Sequence, residues 1–403
     1  MHKKIKFNLT LINLHALFAG VRFFVPVLYI FLRNKNLSYT EISIIAAGFF
    51  GGSLILEVPT GIVSDLYGRR IAIVISSTLF TLSFAILGFG NSFWMFFFGA
   101  LLAGTGEAFI SGSDESLIYD SLKQLGREEE FSGYYGKKMA TFMISSAVSA
   151  ICSWVVYKTE PQNVFLFSAC FSLFSIAWAI LLTEPSECKR VEQADVLRHI
   201  SEAISFLSRT QKLRWLLVYI VAINMSIEIF FQYLQYFLND LNLQIKSIGC
   251  LYAIFFFITA SGAGFAFNLQ KRIKKQEVIM TVISVLVLLA LSALASIHQV
   301  VASVVMIAVI QFSFGFMKPV LNQFVHDQVA TSNRATIASL RSLLIGVSIV
   351  IVSPMMGLMA DSKGYRSMLY VLCLITFTII TLAIIKHHEI LRNSCMKISL
   401  INK

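Results

Sequence analysis

About twelve continuous apolar runs dominate this chain of 403 residues. They fall near 8–32, 40–64, 71–90, 94–121, 138–157, 163–183, 214–238, 246–269, 277–296, 300–325, 336–361 and 367–385. Roughly 20 apolar residues in a helix cross the hydrocarbon of a bilayer. A segment immersed in lipid must satisfy its own backbone, so each run predicts a helix. The runs do not alternate polar and apolar residues, which excludes a transmembrane barrel. The expected fold class is an all-α membrane protein.

Composition supports this. Hydrophobic residues make up 57% of the chain and charged residues only 14%, against about 25% charged in soluble domains. A soluble enzyme, a disordered chain and an ordinary nucleic-acid binder are excluded. Only six prolines are present, which predicts long uninterrupted helices. The six cysteines form no CxxC pair and lie mostly in apolar runs, where cysteine packs as a small hydrophobe. No metal site or disulfide framework is expected.

The net charge of +11 is a matter of topology. With the N-terminus placed inside, connecting segments on the cytoplasmic side hold about 24 Lys and Arg, external loops about 6 and the spans about 3, namely Arg22, Lys318 and Arg341. The densest clusters are Lys271, Arg272, Lys274 and Lys275, and the stretch from Lys189 to Arg214. Both termini are therefore expected in the cytoplasm, with the chain in the plasma membrane. The basic stretch Met1–Phe7 precedes a full-length apolar run with no small-residue cleavage site, so this run reads as a first span rather than a leader.

One connection is long, at 184–213. Val196, Ile200, Ile204 and Leu207 recur there at helical spacing, which predicts a short amphipathic helix on the membrane surface. It separates an N-terminal bundle, 1–183, from a C-terminal bundle, 214–403, of six spans each. Two equal halves joined by one linker predict an internal repeat.

The second span ends in Glu57-Val-Pro-Thr-Gly61-Ile-Val-Ser-Asp65-Leu-Tyr-Gly68-Arg69-Arg70. Gly61 is expected to permit close helix contact, and Gly68 a tight turn. Acid and base so near lipid need partners. With twelve spans and a central loop, this stretch resembles the loop motif of the major facilitator superfamily, with Leu66 where a basic residue is usual. The resemblance implies twelve transmembrane helices in two pseudo-symmetric six-helix bundles that work by alternating access. It implies that the motif is a gate latch. Asp65 would pair with Arg334 or Arg341, and Arg69 with Asp120. A second, similar turn, Ser353 to Arg366 with Gly357, Asp361 and Gly364, falls on the opposite face and reads as structural. The chain departs from the family's drug–proton antiporters in helix five, where Met139 to Cys152 has no Gly-Pro element, and at Ala100, where an Arg is frequent. The stretch Gly106 to Asp120 looks more like a less characterised bacterial subgroup.

Polar residues gather on four helices. Helical spacing places His15, Arg22 and Tyr29 on one face of span one, and Glu107, Ser111 and Asp114 together on span four with Glu115 at the edge. It also groups Asn224, Glu228 and Gln235 with Gln232 on span seven, and Gln311, Gly315, Lys318 and Asn322 on span ten. In the resembled family, helices one, four, seven and ten line the cavity. Spans three, six, nine and twelve read as lipid-facing supports. A charge at mid-depth costs about 2.5–3.5 kcal/mol on insertion scales, so pairing across a cavity is expected: Arg22 and Lys318 against Glu107, Asp114 and Glu228. His15 reads as an ordinary polar contact, and Glu57 as gate packing. Low dielectric favours a protonated carboxyl and a neighbouring cation disfavours it. Glu107 or Glu228 is the expected proton carrier.

No GxSxG, HExxH or nucleotide-binding loop is present, so neither an enzyme nor a self-contained ATP-driven pump is expected. No cofactor is expected. The expected function is proton-coupled efflux of a small amphipathic molecule by a monomer. An uptake or exchange carrier for an anionic or zwitterionic metabolite is the alternative, and a lipid scramblase the remote one. The expected partners are the substrate, a coupling proton and the bilayer, with no nucleic acid.

Overall fold

A computed structural model describes residues 2–185, 211–270, 276–328 and 334–401. The amphipathic segment expected within 184–213 and the basic cluster at 271–275 lie outside these residues. So do the side chains of Asp65, Lys318, Asn322 and Arg334.

The elements are helical throughout the described residues. They run α1 His2–Ala19, α2 Leu28–Asn34, α3 Tyr39–Tyr67, α4 Arg69–Phe89, α5 Phe93–Ile110, α6 Ser113–Gln124, a 3₁₀ turn Glu128–Glu130, α7 Phe131–Thr159 and α8 Asn163–Leu181. After the linker come α9 Gln211–Asp240, α10 Ile245–Gln270, α11 Gln276–Ser296, α12 Val300–Gln328, α13 Arg334–Lys363 and α14 Tyr365–Ile401. Among the described residues, eleven spans are long and apolar enough to cross a membrane, with α5 and α6 counted as one. The first apolar segment, split into α1 and α2, makes the twelfth crossing. The last helix runs on to Ile401, past its apolar run.

The surface is that of a molecule solvated by lipid. Phe257 and Val301 are 74% and 77% exposed, while serines such as Ser83, Ser153 and Ser168 are fully buried. Local signals set the helix starts. Ser38 and Glu41 form a reciprocal capping box at α3. Ser92 accepts from Met95 N at the start of α5.

The described residues form two compact units. One combines the chain up to residue 185 with Gln235–Phe256, and the other combines 211–234 with the chain from Phe257 onward. The tip of the α9–α10 hairpin thus belongs with the first unit. In that unit, Leu9, Ile12, Ile73, Leu117, Leu122 and Leu182 form a buried cluster where α1, α4, α6 and the end of α8 meet. Asn8 stitches the same region, donating to Ser121 Oγ at 3.1 Å and Thr183 O at 2.7 Å. At Gly104, an added Cβ would lie 1.9 Å from the Phe49 carbonyl oxygen, so α5 approaches the α3 backbone closely. In the second unit, Gly315 of α12 stands against Thr259 O of α10 in the same way, also at 1.9 Å. The fourth helix of each half therefore meets the second through a glycine, a close-packing device of membrane helices.

Span one is not the uninterrupted helix that the low proline count predicts. It breaks between Ala19 and Leu28. Pro26 lies in the gap; it has no N–H to donate to Arg22 O and disfavours helix in the residue before it. Neighbours satisfy the freed backbone groups. Ser146 Oγ donates to Gly20 O (2.9 Å), while Ser149 Oγ accepts from Arg22 N (3.1 Å) and Ser168 Oγ from Phe23 N (3.0 Å). Gln235, 1% exposed, supplies three more bonds. Its Oε1 accepts from Tyr29 N (2.7 Å) and Ile30 N (3.3 Å), and its Nε2 donates to Val25 O (2.7 Å). Tyr236 donates its hydroxyl to Tyr29 O at 3.1 Å. Gln235 was expected to share the polar stripe of span seven; instead it closes the break in span one.

Replacing Gln235 by Leu leaves buried backbone donors and an acceptor unpartnered, at about 1–3 kcal/mol for each buried group left unsatisfied. Gln235→Leu is expected to lower the thermal midpoint of the detergent-solubilised protein by several degrees. Gln244→Leu, at an exposed side chain, should leave it unchanged.

Candidate functional site

The first unit encloses a cavity of about 490 Å³, within the size range of small-molecule sites. Span one contributes His15 and Arg22. The paired helices α5 and α6 contribute Glu107, Ser111, Asp114 and Glu115, and α7 contributes Lys138 and Phe142. Ser76, Ser77, Phe80 and Phe84 of α4 and Ser172 and Ser175 of α8 complete the wall. Spans three and six are thus not purely lipid-facing: each turns a serine edge to the cavity. Serines carry no charge and were invisible to a search for ionisable stripes.

Span four was read as one helix placing Glu107, Ser111 and Asp114 on one face. The helix instead ends at Ile110 and restarts at Ser113, with Gly112 left-handed between them (φ 76°). The three residues line the cavity all the same, because the break re-aims α6 about its first turn. Asp114 and Glu115 sit in that turn, where the helix dipole favours negative charge. Tyr29, grouped by spacing with His15 and Arg22, lies beyond the break in span one. It packs on Tyr236, with ring centroids 6.5 Å apart.

Three electrostatic situations coexist in the cavity. Asp114, 8% exposed, is ion-paired with Lys138. Lys138 was missed at the sequence level because the apolar run begins at it, which made it look like a loop residue. The helix starts at Phe131, so Lys138 sits two turns inside. His15 shares a 2.9 Å hydrogen bond with Ser77 Oγ. Arg22 is held differently. Its Nε donates to Ala19 O at 3.1 Å, and its guanidinium carbon lies 4.9 Å from the Phe80 ring centre, 5.3 Å from Phe142 and 6.0 Å from Phe84. Among the described residues, no carboxylate comes within ion-pairing distance of Arg22, and neither Nη has a hydrogen-bond partner. Glu107 is near enough for its charge to act on Arg22, but its own carboxylate accepts no hydrogen bond from the described residues.

The remaining expected cavity residues belong to the second unit. Gln232 Oε1 accepts from Ser353 Oγ at 2.6 Å, leaving Nε2 buried without a partner among the described residues. Gln311 Oε1 accepts from Thr259 Oγ1 at 3.0 Å, and Asn224 Nδ2 donates to Ile220 O in its own helix at 2.8 Å. Glu228 of α9 is half-buried and makes an interaction of its own. The side chains of Lys318 and Asn322 lie outside the described set.

The loop motif forms a compact turn at the junction of α3 and α4. Gly68 has φ 104°, which a side chain rarely adopts, and an added Cβ would lie 2.7 Å from the Glu184 carboxyl carbon. Glu184 caps α4, its Oε1 accepting from Arg69 N at 2.7 Å and its Oε2 from Arg70 N at 2.8 Å. Arg69 Nη1 donates to Ser64 Oγ at 3.2 Å and Arg70 Nη2 to Ile180 O at 2.7 Å. Glu184 was not singled out in the sequence, where it reads as the first residue of the linker. Gly61 was expected to give close helix contact. It is exposed, with nothing described within 4 Å of where a Cβ would lie. Asp120 and Arg341 are half-buried and engaged in interactions of their own.

A polytopic helical bundle with charged side chains lining an internal cavity has the architecture that membrane transporters share. The family follows from comparison: the model of the Major Facilitator Superfamily matches residues 10–353, and the chain belongs to that family. Among curated proteins it is 22% identical to the uncharacterized MFS-type transporter YxaM of Bacillus subtilis (strain 168), over 65% of either chain. It is 28% identical to multidrug resistance protein 1 of the same organism, over 45% of this chain and 46% of that protein. The quinolone resistance protein NorA of Staphylococcus aureus is 19% identical over 42% of this chain and 43% of its own. These matches span under two thirds of each relative. Among solved structures, the nucleoside transporter NupG aligns over 95% of this chain and 98% of its own, with TM-score 0.77 and 12% identity. A bacterial homologue of the human lysosomal transporter Spinster, inward-facing and occupied, aligns over 96% of both chains with TM-score 0.72 and 13% identity. These likenesses give the fold: two six-helix bundles in an integral, multi-pass membrane protein.

Removing one partner of a buried pair costs about 3–5 kcal/mol, whereas replacing both can be neutral. Asp114→Asn and Lys138→Met are each expected to lower thermal stability in detergent, and the double variant to recover most of the loss. At the turn, Glu184→Ala should cost about 1–2 kcal/mol, as a lost helix cap does. Gly68→Ala should cost at least as much, because it adds strain to the displaced carboxylate; unfolding midpoints of the two variants test this order.

Proposed function

We propose that the protein is a secondary transporter that exports a small amphipathic molecule in exchange for protons, by alternating access. The observation that carries this reading is the cavity of the first unit. It combines an aromatic wall for an apolar body with a carboxylate, Glu107, that has no hydrogen-bond donor of its own among the described residues. Such a carboxylate can take up a proton or a cationic group but not both. That exclusivity is the simplest coupling of two opposed fluxes. The curated relatives named for multidrug and quinolone resistance support the direction.

In this reading both termini lie in the cytoplasm of a bacterium, the chain works as a monomer in the plasma membrane, and Glu228 is a second candidate proton carrier. The motif of Gly61, Asp65, Gly68, Arg69 and Arg70, with Asp120 and Arg341, is the cytoplasmic gate latch. The capped turn at Gly68 supports the last point, since a latch needs a rigid anchor on one side. Lys318, Asn322, Gln232 and Gln311 are the second half's candidates for substrate contact.

An uptake or exchange carrier for an anionic or zwitterionic metabolite is the second reading. It is favoured by the two Nη groups of Arg22, which have no hydrogen-bond partner among the described residues.

Proteoliposomes with an imposed pH gradient test the reading. The wild type is expected to move an amphipathic cation against its gradient, and Glu107→Gln to lose at least tenfold of the gradient-driven component, a loss above about 1.4 kcal/mol. Full gradient-driven transport in both Glu107→Gln and Glu228→Gln would falsify proton coupling through these residues.

A further inference from the structure

We propose that Arg22 and Glu107 form a two-point subsite for a zwitterionic amphiphile, with the anionic end on Arg22 and the cationic end on Glu107. This rests on the transport reading above and adds the class of its substrate.

Charged groups that line a cavity between membrane-spanning helices are stabilised by partners of opposite charge. Around this cavity the Asp114–Lys138 pair is already complete. His15 is hydrogen-bonded to Ser77. Glu115 is exposed at the edge, where water serves it. Arg22 and Glu107 are left. Each faces the cavity, each lacks a direct partner among the described residues, and they are not in contact with each other.

Their fixation is one-sided in a way that suits a ligand. Arg22 follows directly on the break in span one. Its backbone N–H is held by Ser149 and its Nε by Ala19 O, while the Phe80 and Phe142 rings lie 4.9 Å and 5.3 Å from its guanidinium carbon. Cation–π contacts hold the guanidinium without using its donors. The Nη groups are thus left for an acceptor, and a planar fork of this kind matches a carboxylate. The same rings offer an apolar wall to the body of the ligand. A purely cationic ligand would engage Glu107 and leave the Arg22 fork without an acceptor. A purely anionic one would do the reverse. A zwitterion completes both.

The test is binding to the full-length protein in detergent, by calorimetry. Three bodies of increasing charge separation are used: phenylalanine, 4-(aminomethyl)benzoate and 4′-(aminomethyl)biphenyl-4-carboxylate. Each is compared in four forms: zwitterion, methyl ester (cation), N-acetyl derivative (anion) and doubly blocked. The expected result is a preference of about tenfold or more for the zwitterion on at least one body, the worth of one charge-assisted hydrogen bond. Arg22→Gln should transfer the preference to the ester and Glu107→Gln to the N-acetyl form. Equal or tighter binding of a singly charged form on every body overturns the proposal, as does binding of none of them. The wild-type series decides this without any variant, so misfolding of a mutant cannot mask the answer. Gradient-driven export of a cationic dye is measured in parallel. If it persists without a zwitterion preference, the subsite is refuted and the transport reading stands. If the preference persists without gradient-driven export, the transport reading is refuted and the subsite stands.

Discussion

The structure depends on one rule of apolar surroundings: every backbone donor and acceptor needs a partner within the protein. The rule is easy to meet in a continuous helix and hard to meet at a break. Span one breaks between Ala19 and Leu28, and three serines, a glutamine and a tyrosine from three other helices converge on the gap. The break gives something in return. It turns Arg22 off the helical course so that its side chain stands in the cavity, with its backbone N–H held by Ser149. A second break, at Gly112, does the same for α6 and delivers Asp114 to Lys138. The cavity is thus built at the two places where helices are discontinuous, as in other transporters whose sites form at broken spans.

The sequence was most legible where a single length scale governs. Spans of about 20 residues announce themselves because hydrocarbon thickness leaves no alternative. Eleven described helices and the split first segment follow directly from those runs. Helical spacing put Arg22 on one face of span one and Glu107 and Asp114 on one face of span four, and the three line one cavity. What spacing missed has a common physical cause. Gln235 shares a stripe with Asn224, yet a neutral amide can face a cavity or a backbone gap, and only the partner decides. Lys138 marks the start of an apolar run but not the start of its helix. Ser76, Ser77, Ser172 and Ser175 have hydropathy too moderate to register against Phe and Leu neighbours.

The two units use their polar residues differently. In the first, the described cavity groups include ions, one pair satisfied and two single charges lacking direct partners. In the second, the described contacts among α9, α10, α11, α12, α13 and α14 are mostly between neutral groups: Tyr219 with Met280 O, Ser226 with Thr376, Gln232 with Ser353, Gln311 with Thr259. Neutral hydrogen bonds of this kind hold helices together at modest individual strength. The same close glycine approach, Gly104 in one half and Gly315 in the other, shows how far the shared scaffold extends. Scaffold positions repeat because backbone packing tolerates little; polar positions diverge because charge placement is where the halves can differ.

The paired turns make the same point at closer range. The motif ending α3 and the similar one ending α13 both close on a left-handed glycine, Gly68 with φ 104° and Gly364 with φ 82°. Beyond the turn they part. At Gly68 a carboxylate, Glu184, binds the exposed N–H groups of a helix start. At Gly364 a guanidinium, Arg366, donates to Leu294 O (3.2 Å) and Ile297 O (2.9 Å) at the end of α11. Each charge complements the dipole of the helix end it meets. The likeness between the two stretches extends to the turn geometry and not to the residue that docks there. What distinguishes them is the residue that docks: at Gly68 it is Glu184, just beyond the end of α8. Glu184 ties the α4 start to the chain just beyond α8, whereas Arg366 sits two residues beyond its own turn and ties it to the neighbouring α11.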